Sequence, residues 1–263
     1  MKKKTKIIIS CIVAAVLILG IVIWVILPRV ALSKMVEEFI FPDFENCKGE
    51  YFDEYDVRND SFVRTENEYI AFDIPSGYVL EKQPTEEKDH IPYIYSQDDT
   101  KEYVLMFAKP DDTVLDLTDH SMYEDDENIP DEKTFKKMVD AFESFGNGIP
   151  NSKFAAYKCI ALLDKEDYSF WDIGKATAFT ILGTFKVSAF SNYDNIYVYE
   201  SEDINGILYI TDNSDDPDDF TKYEAVFDAY PVSDLNYSYT LMMDMNSLED
   251  IYAVINSVEF KTT

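Results

Sequence analysis

The sequence predicts an α+β domain, an antiparallel sheet with packed helices, preceded by one transmembrane helix. Three observations lead there. An uncharged apolar run opens the chain. Short alternating strands recur on both sides of a helical middle. An amphipathic helix lies close to the C-terminus.

The opening run, Ile7 to Leu27, holds no charged residue. As a helix it would rise about 31 Å, enough to cross a hydrocarbon core of about 30 Å. A cleaved signal has a shorter apolar region and a small-residue cleavage site. Here Trp24, Val25, Ile26, Leu27 and Pro28 run bulky into Arg29. Ile8-Ile9-Ser10-Cys11 looks like a lipobox, but only four residues separate Lys6 from Cys11, too few for a signal core. Lys2, Lys3, Lys4 and Lys6 precede the run, against Arg29 and Lys34 after it. The basic bias therefore places the N-terminus in the cytoplasm and the rest of the chain outside, at the cell membrane. Residues 7–27 are the expected membrane contact.

Organisation follows as 1–29, the basic tip and anchor; 30–61, a juxtamembrane helix and acidic linker; and 62–263, the extracytoplasmic domain. Apolar positions 32, 35, 36, 39 and 40 have helical spacing, ended by Pro42. Glu-Tyr-Ile-Ala-Phe-Asp-Ile-Pro alternates as a strand before the turn at Ser76-Gly77. Two further strands, within 90–97 and 101–110, form a hairpin. A helical insertion spans 131–187. Its first helix carries the stripe Phe135, Met138, Val139, Phe142 and Phe145. Two more helices fall at 153–163 and 168–187, and Phe142, Trp171 and Phe179 are expected to pack together. Strands return from 195, with Asn205-Gly206 read as a hairpin turn, and again at 223–229 and 237–245. Asn246 is the expected N-cap of a last helix, with Glu249 behind it. Leu248, Ile251, Tyr252 and Ile255 share one face of that helix and are expected to dock on the sheet.

The stretch Phe72-Asp73-Ile74-Pro75-Ser76-Gly77-Tyr78, and the ending Ile255-Asn256-Ser257-Val258-Glu259-Phe260, resemble the PsbP-like group of α/β/α sandwiches. The resemblance covers 62–108 and 195–261. It implies an accessory or anchored protein and carries over no functional residue. The helical middle departs from that pattern.

The chain carries 51 Asp/Glu against 23 Lys/Arg, a net charge of −28. Such a surface repels phosphates, which argues against nucleic-acid binding. It attracts cations or a basic protein, and tyrosines interleaved with acids also suit a glycan. A solvated acidic surface explains the same composition. Cys47 and Cys159 allow one disulfide, although the apolar run around Cys159 suits a reduced thiol.

Motifs for chemistry are sparse. His90 and His120 sit in no metal motif. No nucleotide loop, nucleophile elbow or cofactor signature occurs, so no catalytic or cofactor-binding residue is assigned. The sharpest metal candidate is a calcium turn with ligands Asp212, Ser214, Asp216 and Asp218. Pro217 replaces the glycine an EF-hand requires and Tyr223 its bidentate glutamate, so a solvated acidic turn is the competing reading. The leading functional expectation is a non-enzymatic interaction or accessory module at the cell surface. The alternative is a carboxylate-based hydrolase of envelope polymer or glycan.

Overall fold

The computed structural model describes residues 25–44, 47, 49–52, 61–82, 92–97, 101–107, 110–111, 132–145, 148–214 and 221–261. Within them the fold is α+β. Strands β1 (Gly49–Tyr51), β4 (Val79–Lys82), β5 (Tyr93–Ser96), β6 (Tyr103–Met106), β7 (Asn195–Glu200), β8 (Ile204–Asp212), β9 (Tyr223–Pro231) and β10 (Tyr239–Met245) form one sheet. Its order is β1-β7-β8-β9-β10-β6-β5-β4. A second sheet holds β2 (Phe62–Glu66), β3 (Ile70–Pro75) and β11 (Glu259–Phe260), with β3 in the middle. The large sheet is mixed rather than antiparallel, because β1 runs parallel to β7. That strand lies in the segment expected to be an acidic linker.

Helices cover both faces of the large sheet. Period-two alternation sends Leu208, Phe227, Leu241 and Met243 to one face. There they meet Ile251 and Val254 of α6 (Leu248–Asn256) and Ile70 and Phe72 of the small sheet. Ile196, Val198, Ile207 and Tyr209 point to the other face. They pack with Phe154 of α4 (Lys153–Ala161) and Phe190 of α5 (Ile173–Phe190). A third cluster lies among the helices themselves. Val36 of α1 (Leu27–Phe39), Phe44 of the short α2 (Phe41–Phe44) and Phe142 of α3 (Glu132–Ser144) close around Phe179 and Leu182 of α5. The expected juxtamembrane helix is thus packed on α5, and Pro42 sits inside α2 instead of ending the helical segment.

The two stretches of the PsbP-like resemblance meet in the small sheet, where Glu259 pairs with Ala71 and Phe260 with Ile70. Arg64 closes this corner. Its guanidinium donates to the Ser257 carbonyl at 2.7 Å and pairs with Asp73 at 3.2 Å and Glu259 at 2.5 Å.

Four more expectations are corrected. Asn205-Gly206 is not a turn: the chain reverses at 201–203, and both residues lie inside β8. Gly206 is there for space, since a Cβ would meet the Phe227 ring at 2.3 Å. Trp171 does not join Phe142 and Phe179. It precedes α5 and is 76% exposed, whereas those two phenylalanines are buried. The helix expected at 168–187 is Ile173–Phe190: a short turn at 165–167 precedes it, and it starts behind Asp172, whose side chain accepts from the Gly174 and Lys175 amides. Finally, Ser247 caps α6, not Asn246. Ser247 Oγ accepts from the Asp250 amide at 3.2 Å, while Asn246 Oδ1 accepts from the Lys222 amide. Ser247→Ala is expected to lower the unfolding free energy by about 1 kcal/mol, read by urea titration. An unchanged midpoint would remove the cap from that account.

Among the described residues no helix is long and apolar enough to cross a membrane. The span expected at residues 7–27 lies outside them up to Trp24, and Leu27 opens α1.

Candidate functional site

A cleft of about 400 Å³ opens between the helices and the second face of the large sheet. Alternation in β9 creates its polar end. Ala225, Phe227 and Ala229 face the main core, so Asp228 and Tyr230 face α4 and α5. Thr240, the cross-strand partner of Asp228 in β10, donates its hydroxyl to Asp228 Oδ1 at 2.6 Å.

Helical spacing supplies the walls. Lys153, Ala156, Tyr157 and Ile160 recur on one face of α4. Met138 and Phe142, one turn apart on α3, and Phe185 and Ala189, one turn apart on α5, make the apolar part. Two contacts position the start of α4: Ser152 Oγ accepts from the Ala155 amide, and Asn236 Oδ1 accepts from the Lys153 amide. Asp111 enters through a two-bond bridge with Ser238. Its carboxylate holds Lys153 Nζ at 2.6 Å.

Burial dominates the electrostatics. It pushes the Asp228 carboxyl above the ordinary carboxylate value, against the pull of its bonds to Thr240 and Tyr209. Asp111 adds to the rise, and Lys153 opposes it. The phenols of Tyr157, Tyr209 and Tyr230 are raised, first by burial and next by Asp228. The result is an apolar cleft ending in a carboxyl ringed by hydroxyl groups. It offers hydrogen-bond acceptors and aromatic faces to a cation, beside an ion pair already made.

The calcium turn is only half described. Asp212 ends β8, and Ser214 lowers its carboxyl from the ordinary value, first through its hydroxyl and next through its amide, which donates to Oδ1 at 2.9 Å. Asp216 and Asp218 lie outside the described residues, as do His90 and His120. Among the described residues no group of three His, Cys, Asp or Glu could hold a metal ion. Cys47 and Cys159 are not joined in a disulfide. Cys47 is buried on the second face of the sheet, and Cys159 packs among the helices.

Sequence reasoning missed the cleft. Asp228 stands in Tyr-Glu-Ala-Val-Phe-Asp-Ala-Tyr-Pro, and a lone acid inside so apolar a strand was the available signal. Asp111 and Lys153 are 42 positions apart, and nothing in the sequence pairs them.

No family model, no curated relative and no solved structure matches the chain. The resemblance to the PsbP-like group therefore rests on its two short stretches alone.

Proposed function

We propose that the protein is a single-pass, membrane-anchored module with an extracytoplasmic domain, binding in its cleft a small amphipathic ligand that carries an amine. The observation that carries this is the half-buried Asp228, facing an apolar cleft beside Tyr157 and Tyr230. An ammonium there would gain a carboxylate and aromatic faces, and an alkyl tail would lie against Met138, Phe142 and Phe185. The acidic surface favours approach of such a ligand, as it would a basic protein. The anchor reading rests on the uncharged run 7–27 and the lysines before it.

The test uses the full chain in detergent, titrated calorimetrically with octylamine, octanol and octanoate. Octylamine is expected to bind best. Asp228→Asn is expected to weaken octylamine at least about tenfold while leaving octanol unchanged. No amine binding, or equal amine binding by Asp228→Asn, would overturn the reading.

One observation favours a hydrolase as second reading. Asp111 and Asp228 share the cleft, and burial raises Asp228. Two carboxyl groups in different environments can divide acid and base roles. Release of soluble fragments from envelope glycan by the wild type, lost in Asp228→Asn, would support that reading over simple binding.

A further inference from the structure

The corner where the chain enters the described fold carries an exposed apolar patch. Val25 and Ile26, just before α1, and Leu27 and Val30 on its first turn are 37–53% exposed. Beside them are Trp171 at 76% and Ile173 at 43%. Arg29 ties the two stretches together, donating to the Val25 carbonyl at 2.7 Å and the Trp171 carbonyl at 3.4 Å. The aromatic turn is built, not loose. Ser169 Oγ accepts from the Asp172 amide, Asp172 caps α5, and the Phe170 ring packs edge-on against Trp171 at 5.0 Å. Further along, α1 and α5 stay together, and a Cβ on Gly183 would meet Ile40 at 3.1 Å. The two helices therefore run side by side with their starts at the same end.

That end is where the uncharged run 7–27 arrives. We propose that Trp171, with Ile173 and the first turn of α1, sits in the headgroup interface of the bilayer and docks the domain on the membrane surface. The proposal rests on the anchor reading. If the run spans the bilayer, Arg29 lies two residues past its end. Arg29's bond to the Trp171 carbonyl then puts the indole at headgroup depth. Tryptophan prefers that zone, where its ring is half in hydrocarbon and its N–H reaches water. Arginine there keeps its charge at the surface while its stem lies along the apolar boundary. A domain this acidic gains nothing from anionic lipid, so the apolar patch must hold the contact. The bilayer also explains why so large a ring is left uncovered among the described residues.

The chain carries two tryptophans, Trp24 in the run and Trp171, and this makes the test clean. The full chain is reconstituted in phosphatidylcholine vesicles containing lipids brominated near the headgroup or deep in the tails. In Trp24→Phe, which reports on Trp171, emission is expected to be blue-shifted, quenched more by shallow than by deep bromine, and shielded from aqueous iodide. Iodide quenching without bromine quenching would overturn the docking. In Trp171→Phe, which reports on Trp24, bromine quenching is expected if the run is in the bilayer. If Trp24 is quenched and Trp171 is not, the anchor stands and the docking falls. If Trp171 alone is quenched, the anchor reading falls and surface docking remains. If neither is quenched, both fall.

Discussion

Replacing Lys186 with alanine is expected to destabilise the domain by about 3–5 kcal/mol, read by urea unfolding at pH 7. Lys186 projects from α5 into the interior and is 1% exposed. Its Nζ donates to the carbonyls of Ala161 at 2.8 Å and Leu163 at 2.5 Å. It also stands 4.6 Å from the Phe44 ring centroid. Those carbonyls are at and just beyond the C-terminal end of α4, where the helix itself supplies no partners. Alanine would leave both acceptors buried without this donor, and a cavity where the stem lay. A loss below about 1 kcal/mol would show that water reaches the carbonyls.

The same residue sets a pH dependence. Burial lowers the Lys186 pKa from 10.5 to about 8, opposed by Cys47, Asp164 and Asp167. The folded-state value lies below the unfolded one, so folding releases a proton between those limits. Stability therefore rises with pH from about 8 to 10.5, and below 8 the fold carries the full cost of a buried ammonium. A neutral amine has two N–H groups, and the structure provides two carbonyls for them. Lys186→Met keeps the bulk and loses the titration. The stability difference between wild type and Lys186→Met is expected to grow in favour of wild type by on the order of 2 kcal/mol from pH 7 to pH 9.5. Tyrosines with raised pKa act in the opposite direction near pH 10, but both proteins contain them and the difference cancels them. A difference that stays flat would mean that Lys186 remains charged throughout.

What the sequence made legible was periodic. Phe72 and Ile74, Val104 and Met106, and Leu241 and Met243 alternate, and all six are buried in strands. Leu248, Ile251, Tyr252 and Ile255 share a helical stripe, and that stripe does pack on the main core. What stayed hidden depends on neighbours remote in sequence. Asn205-Gly206 has turn chemistry, but Phe227 needs the space above Gly206, and that packing decided its place. Trp171 looked like a core residue because size and hydrophobicity do not say which side of a helix start a ring falls on. Asn246 and Ser247 are both good caps, and the choice between them follows from the Lys222 amide reaching Asn246. The cleft was least visible, because Asp111, Lys153 and Asp228 come from three separate segments.

Gly49→Ala is the other substitution expected to have a large effect, about 3 kcal/mol or more in urea unfolding. Gly49 opens β1, which joins the large sheet parallel to β7 with Gly49 opposite Ile196. A Cβ at Gly49 would meet the Ala161 oxygen at 2.1 Å and its carbon at 2.7 Å. Those are backbone atoms at the end of α4, so no rotamer change relieves the clash. Either β1 leaves β7, giving up also the bond from the Phe52 amide to the Val198 carbonyl, or α4 shifts and takes with it the acceptor of Lys186. Gly49 has no positive φ, so space alone is at issue. Glu50→Ala, an exposed neighbour in the same strand, serves as control and is expected to stay within about 0.5 kcal/mol. Because Gly49 and Lys186 both act on the Ala161 carbonyl, the double variant Gly49→Ala with Lys186→Met is expected to lose less than the sum of the two single losses. Strict additivity would mean that the two residues act on separate parts of the fold, and the shared carbonyl would then not be the junction between β1, α4 and α5.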